Sequence, residues 1–270
     1  MTPQAATTWL PAYTLWRREI VRFLRQRNRV LGALLQPALF WVFFGAGFRD
    51  AFRIGAADGP GGSQGFLEFL FPGTVVLVLL FTAIFSTFSL IQDRNEGFLQ
   101  SVLVAPVSRA GLVIGKAAGG TTLAVAQGLL FLLLAPLAGV PLSVATFAAA
   151  AGVLLLVGFG LTALGLACGW STDSVQGFHA IMMLVLMPLW LLSGAFFPLD
   201  GGPAWLGWLM RANPLTYGVA ALRHALYPDG LPGQALPSMG VSLGISAAFA
   251  AAVFSIAWVL VGRRTRGDLR

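Results

Sequence analysis

Residues 69–91 read FLFPGTVVLVLLFTAIFSTFSLI, a run without a single charged side chain. A helix of that length rises about 35 Å, enough to cross the roughly 30 Å hydrocarbon core of a bilayer. Similar apolar blocks occupy 31–48, 116–138, 143–168, 178–196 and 237–261. The pattern predicts an all-α membrane protein of six transmembrane helices, organised as a single transmembrane domain over residues 1–270. The blocks are continuous rather than alternating, which argues against an outer-membrane barrel. Composition agrees. The 270 residues are 57% hydrophobic and 10% charged, with a mean hydropathy of +0.81. A soluble chain of this size has too little interior to hide that much apolar surface.

Upstream of the first block, Trp9, Tyr13, Trp16, Ile20 and Phe23 recur at helical spacing, with Arg17, Arg18, Arg22, Arg25 and Arg29 around them. Residues 9–29 are therefore expected to form an interfacial amphipathic helix, rings in the acyl boundary and guanidinium groups on lipid phosphates. Downstream, 92–115 reads as a short helix from Asn95 to Val104, stopped by Pro106. The connection 197–236 is too apolar for a solvated loop and is broken at Asn213-Pro214. It is expected to be an external re-entrant helical hairpin, tolerated at membrane depth where protein covers it.

Charge placement gives the orientation. The N-terminal segment, the 92–116 connection and the tail after 262 carry 13 of the 17 Lys and Arg residues. Arg49, Arg53, Arg211 and Arg223 are the four on the other side. The positive-inside rule then puts both termini in the cytoplasm. The same rule accounts for the net charge of +7 without a nucleic-acid partner.

Several chemistries find no support. Gly111 to Lys116 superficially resembles a phosphate-binding loop, but only three residues separate Gly111 from Gly115 and Ala117 follows the lysine. A P-loop needs four, then Ser or Thr. Lone Cys168 cannot form an intramolecular disulfide, and His179 and His224 fall on opposite sides of the membrane, so no metal site is expected. Glu68, Asp93 and Asp173 lie at block ends, which leaves no intramembrane proton relay.

Taken in order, the motifs resemble a known family. They are Leu35-Gln36-Pro37, then Asp93-Arg94-Asn95-Glu96-Gly97-Phe98-Leu99-Gln100 running on to Pro106 and Lys116. Leu192-Ser193-Gly194-Ala195-Phe196-Phe197-Pro198-Leu199 follows, then Asn213-Pro214-Leu215-Thr216-Tyr217 and Leu222-Arg223. Over about residues 12–262 the chain resembles the membrane subunit of ABC type-2 exporters, the family of daunorubicin-resistance and nodulation-factor export permeases. The resemblance implies a permease with no catalytic residues and no cofactor of its own. ATP and Mg would sit on a separate nucleotide-binding ATPase subunit. A second permease subunit, most simply a homodimer partner, and membrane lipids would complete the machine in the bacterial cytoplasmic (inner) membrane.

The same resemblance implies ATPase coupling through the 92–115 segment, at Arg94, Glu96, Gly97, Phe98, Leu99, Gln100 and Pro106. Glu96 is expected on the first turn of its short helix. It implies a substrate pathway along the second and fifth spans, with Phe81, Thr82, Phe85, Ser86 and Ser89 on one and Met183, Met187 and Trp190 on the other. Read as residues alone, both stripes suit helix packing as well as a pathway. Pro198, Asn213, Pro214, Tyr217 and Arg223 belong to the hairpin, where Arg223 could meet an anionic substrate or anchor at headgroups. The scarcity of polar groups in the spans favours a drug, lipid or lipid-linked substrate. A polysaccharide or glycoconjugate exporter, or an ATPase-independent facilitator or assembly factor, are the alternatives.

Overall fold

The computed structural model describes residues 8–48, 53–54, 64–98, 108–199, 202–228, 230 and 236–262. The described chain is helical throughout, apart from a two-residue antiparallel pair, β1 (Arg53–Ile54) with β2 (Gln64–Gly65). The helices are α1 (Trp9–Arg25), α2 (Arg27–Gly47), α3 (Phe66–Asn95), α4 (Arg109–Leu132), α5 (Val144–Trp170), α6 (Val175–Ala195), α7 (Ala204–Ala212), α8 (Pro214–Leu226) and α9 (Met239–Gly262). A 3₁₀ turn, Ala135–Ala138, follows α4 and ends at Gly139, whose φ of +80° suits only glycine. Five helices, α2, α3, α5, α6 and α9, are long and apolar enough to cross a membrane. α4 has the length, but Lys116, Gln127 and its Gly and Thr residues dilute its hydropathy.

Boundaries differ from the sequence expectation at informative places. The first break falls at Gln26 rather than near residue 30, because the Gln26 N–H closes back on the Phe23 carbonyl and its ψ of 73° leaves helical space. α2 then runs unbroken through Pro37. α3 is 30 residues long, about 45 Å, so its last turns overhang a hydrocarbon core of about 30 Å and carry Asp93 and Arg94 past it. α4 starts seven residues before the expected 116, where Ser108 Oγ accepts the Gly111 N–H as an N-cap.

α3 is the hub. It packs against α2, α4, α5, α6 and α8, and 94% of its apolar window is buried within one chain, against 22% for α2 and 28% for α9. Close approach to α6 depends on Gly73. A Cβ there would lie 2.5 Å from Ala195 Cβ and 2.6 Å from its Cα. The Gly73 carbonyl accepts the Trp190 indole N–H at 2.7 Å. α6 is itself irregular, with π turns at Met182–Leu186 and Leu191–Ala195 around Pro188, which has no N–H to donate. Gly194, at φ +76°, ends it.

Gly73→Val should therefore overpack the α3–α6 crossing and destabilise the protein by about 1–3 kcal/mol. Gly207→Ala, at a position with open space around it, should be neutral or stabilise by up to about 1 kcal/mol. Thermal unfolding in detergent compares the two, and equal melting temperatures would contradict the crossing geometry.

Candidate functional site

α1 lies along α4 on a glycine stripe. Gly111, Gly115 and Gly119 follow at steps of four, so they share one helix face. A Cβ on Gly115 would stand 2.7 Å from the Ala12 carbonyl oxygen and 2.9 Å from Leu15 Cβ. One on Gly119 would stand 2.8 Å from Glu19 Cβ. Ser108 and Thr8 hydroxyls meet at 3.0 Å, and the Trp16 indole donates to Thr122 Oγ1 at 3.1 Å. The face of α1 turned to protein is Ala12, Leu15, Glu19 and Phe23. The expected aromatic stripe is thus divided: Phe23 is buried, while Trp9 and Tyr13 are exposed. The glycines that resembled a failed phosphate loop are the seam for this helix, and their spacing of four was the signal that reading passed over.

Where α1 crosses α3 and α4, charges are buried. Lys116 Nζ reaches Glu19 Oε1 and Asp93 Oδ2, each at 2.6 Å, and Ser89 Oγ at 2.9 Å. Ser89 in turn donates to Glu19 Oε2 at 2.5 Å. The three ammonium protons therefore meet three acceptors, and no more than 4% of either Lys116 or Glu19 side chain is exposed. Asp93 also receives a bidentate fork from Arg18, at 2.9 and 2.6 Å, and Arg22 Nη1 at 2.7 Å. The hydrogen bond to Asp93 holds the Arg18 pKa above its ordinary value in spite of burial. One expectation is corrected here. Arg18 and Arg22 are turned to Asp93 instead of lipid phosphates, because an otherwise uncompensated buried carboxylate costs several kcal/mol. Ser89, expected on the pathway stripe, is buried in this cluster.

The 92–115 segment begins differently from the expected helix. α3 continues to Asn95; Glu96 caps its C-terminal end, and Gly97 turns the chain with φ +73°. Glu96 thus sits at the electronegative end of a helix, not on a first turn. Its side chain is 62% exposed and comes within 3.7 Å of Arg22. Phe98 lies under the Arg18 guanidinium, 3.8 Å from carbon to ring centroid. Arg94 is turned inward, donating to the Trp170 and Thr172 carbonyls at the end of α5, at 2.9 and 3.1 Å. Leu99, Gln100 and Pro106 lie outside the described residues.

The expected pathway residues do not share one surface. Thr82 and Ser86 are buried; Thr82 lies between the Val78 carbonyl and the Gln127 amide, and Ser86 donates to the Ala83 carbonyl at 2.6 Å. Phe81 is buried and Phe85 half-buried, stacked 6.0 Å apart. Trp190 is fully buried against Gly73, whereas Met183 is exposed and Met187 half-buried. The π turn between them shifts the helical register, which separates Trp190 from the face the simple spacing assigned it.

In the 197–236 connection the predicted break is present. Asn213 caps α8 by accepting the Leu215 N–H at 2.9 Å, and its amide donates to the Leu189 carbonyl at 2.6 Å; Pro214 takes the first helical position. Tyr217 donates to the Arg211 carbonyl, and Pro198 is half-buried before α7. Arg223 is 2% exposed. It donates to the Gly194 carbonyl at 2.8 Å and the Phe69 carbonyl at 3.2 Å, above the Phe69 ring. Headgroup anchoring is excluded for a side chain so enclosed, and it ties α8 to α3 and α6.

Five apolar helices, one of them the buried hub α3, define a multi-pass membrane protein. The ABC-2 type transporter family matches residues 12–227, and the chain belongs to that family. The family is the transmembrane permease part of ABC transporters and works with an ATPase subunit. The chain is 30% identical over 217 residues to a putative transport permease of Porphyra purpurea, covering 78% of this chain and 72% of that one. It is 23% identical over 265 residues to nodulation protein J of Rhizobium leguminosarum bv. viciae, covering 97% and 96%. A daunorubicin resistance ABC transporter permease of Streptomyces coeruleorubidus is 23% identical over 250 residues, covering 92% and 86%.

The α1–α4 seam is open to test. Gly115→Leu should drive α1 off α4 and expose the buried Ala12 position. In a chain with Cys168→Ser, an Ala12→Cys label site should stay protected from a soluble maleimide and become reactive once Gly115→Leu is added. A Tyr13→Cys site, already exposed, should react in both. Continued protection of position 12 would contradict the seam.

Proposed function

We propose that this chain is the permease subunit of an ATP-driven exporter that moves a lipophilic or amphiphilic substrate outward across the bacterial cytoplasmic membrane. The carrying observation is the convergence of α1, the end of α3 and the start of α4 on one buried charge cluster, flanking the 92–115 segment. A push on that segment is, in this reading, passed to α3, the hub of the bundle, through the shared cluster. In this reading the cluster end is cytoplasmic, with both termini, and α4 is the sixth span. The exposed rings of Trp9, Tyr13, Trp205 and Trp208 sit at lipid interfaces, with α7 and α8 forming a re-entrant hairpin. The chain acts as a single transmembrane domain.

ATP and Mg are bound by a separate ATPase subunit that docks on the 92–115 segment, at Glu96 and Phe98 and the residues after them. Two permease subunits pair as a homodimer, and the outward face of α6, with Met183 and Met187, faces the shared axis. Burial of Thr82, Ser86 and Trp190 within a single subunit leaves that greasy face as the pathway wall, which suits a drug, lipid or lipid-linked molecule.

Affinity purification from mild detergent should bring down a soluble P-loop protein in equimolar amount. Glu96→Arg should raise the dissociation constant for that partner about 10-fold, the equivalent of one charged hydrogen bond. Membrane insertion and dimerisation should be unchanged, because Glu96 is outside the apolar core. Nucleotide-independent transport by the chain alone in liposomes would instead support a facilitator, and export of a polysaccharide in place of amphiphiles would overturn the substrate assignment.

A further inference from the structure

Between the buried cluster and the loop that follows α3 stands Gly97, whose left-handed φ turns the chain while its N–H closes on the Arg94 carbonyl at 3.1 Å. Phe98 then packs beside the apolar cluster of Leu15, Leu90 and Leu112, and the charged contact over its face comes from α1. The edge of the Arg18 guanidinium is committed to Asp93 through two hydrogen bonds, and its face covers the Phe98 ring at 3.8 Å. Asp93 is itself held by Lys116 and Arg22, and the residue next to Arg18 on α1, Glu19, is held by the same Lys116. One planar group therefore refers the position of an aromatic ring on the loop to a carboxylate buried in the bundle.

We propose that Arg18 is a positioning residue: it orients Phe98, at the entry to the 99–107 segment, by referring it to the Glu19–Lys116–Asp93 cluster. α1, the end of α3 and the loop entry then move as one body when a partner docks. This rests on the reading above that the loop receives an ATPase subunit. The role belongs to arginine in particular. A lysine would keep the charge beside Asp93 as a point ammonium, with neither the bidentate edge nor the flat face that covers the ring.

That difference separates positioning from simple charge neutralisation. A para-trifluoromethyl phenylalanine at position 98 of the full chain, in lipid nanodiscs, reports the ring by ¹⁹F resonance. Arg18→Lys and Arg18→Ala should both shift that resonance toward its solvent-exposed value. Both should also raise the dissociation constant of the co-purifying ATPase subunit about 10-fold, the loss of one cation–π contact with its ordering. Arg17→Ala, one position away on an exposed part of α1, should leave both readouts at wild type. Wild-type resonance and affinity in Arg18→Lys would mean that Arg18 only neutralises Asp93. A shifted resonance with unchanged affinity would equally overturn the proposal, since the ring's position would then not matter to docking. If no ATPase subunit co-purifies, the docking reading fails, and the resonance alone still decides whether Arg18 positions Phe98.

Discussion

The Lys116 ammonium is the constraint on which one end of this molecule depends. It is buried at the crossing of three helices, and a charge there is tolerable only with full compensation. Glu19 from α1 and Asp93 and Ser89 from α3 supply it. None of these contacts lies within one helix, so the cluster exists only when α1, α3 and α4 are assembled. Breaking such a pair costs about 3–5 kcal/mol, because the partner is left charged and dry. The glycine seam on α4 is the steric counterpart: side chains there would hold α1 too far away for Glu19 to reach.

The opposite end of the bundle uses another device. Trp190 and Arg223 there donate to backbone carbonyls of Gly73, Gly194 and Phe69. The Gly194 carbonyl is available because α6 departs from regular helix there, while the Gly73 and Phe69 carbonyls lie within α3, where the second lone pair of a carbonyl can still accept. One end is thus locked by ion pairs among side chains, and the other carries side-chain hydrogen bonds to backbone carbonyls.

Much was legible in residue pattern alone. Long apolar runs need a solvent of matching thickness, so five of the six expected spans and their approximate limits follow from length and hydropathy, while α4 has the length without the hydropathy. Asn213-Pro214 reads as a helix start because an Asx cap and a proline without N–H act locally. The family, too, is carried by short motifs in order, which need no knowledge of contacts. Glu96 was misplaced by a local rule that was sound in itself. Whether a carboxylate begins a helix or ends one depends on how far α3 extends, and that length is fixed by what α3 packs against.

Tertiary structure alone decided which side chains face each other. Arg18 and Arg22 look the same as Arg17 and Arg25 in the sequence, and only the approach of Asp93 separates the half-buried pair from the exposed one. Trp190 was grouped with Met183 by regular spacing, but π turns broke that spacing. Arg223 read as a surface charge until the Gly194 and Phe69 carbonyls enclosed it. The reason is common to the arginines. Hydropathy and helix propensity are properties of a segment, whereas compensation of a buried charge is a property of a pair whose members lie scores of residues apart in the chain.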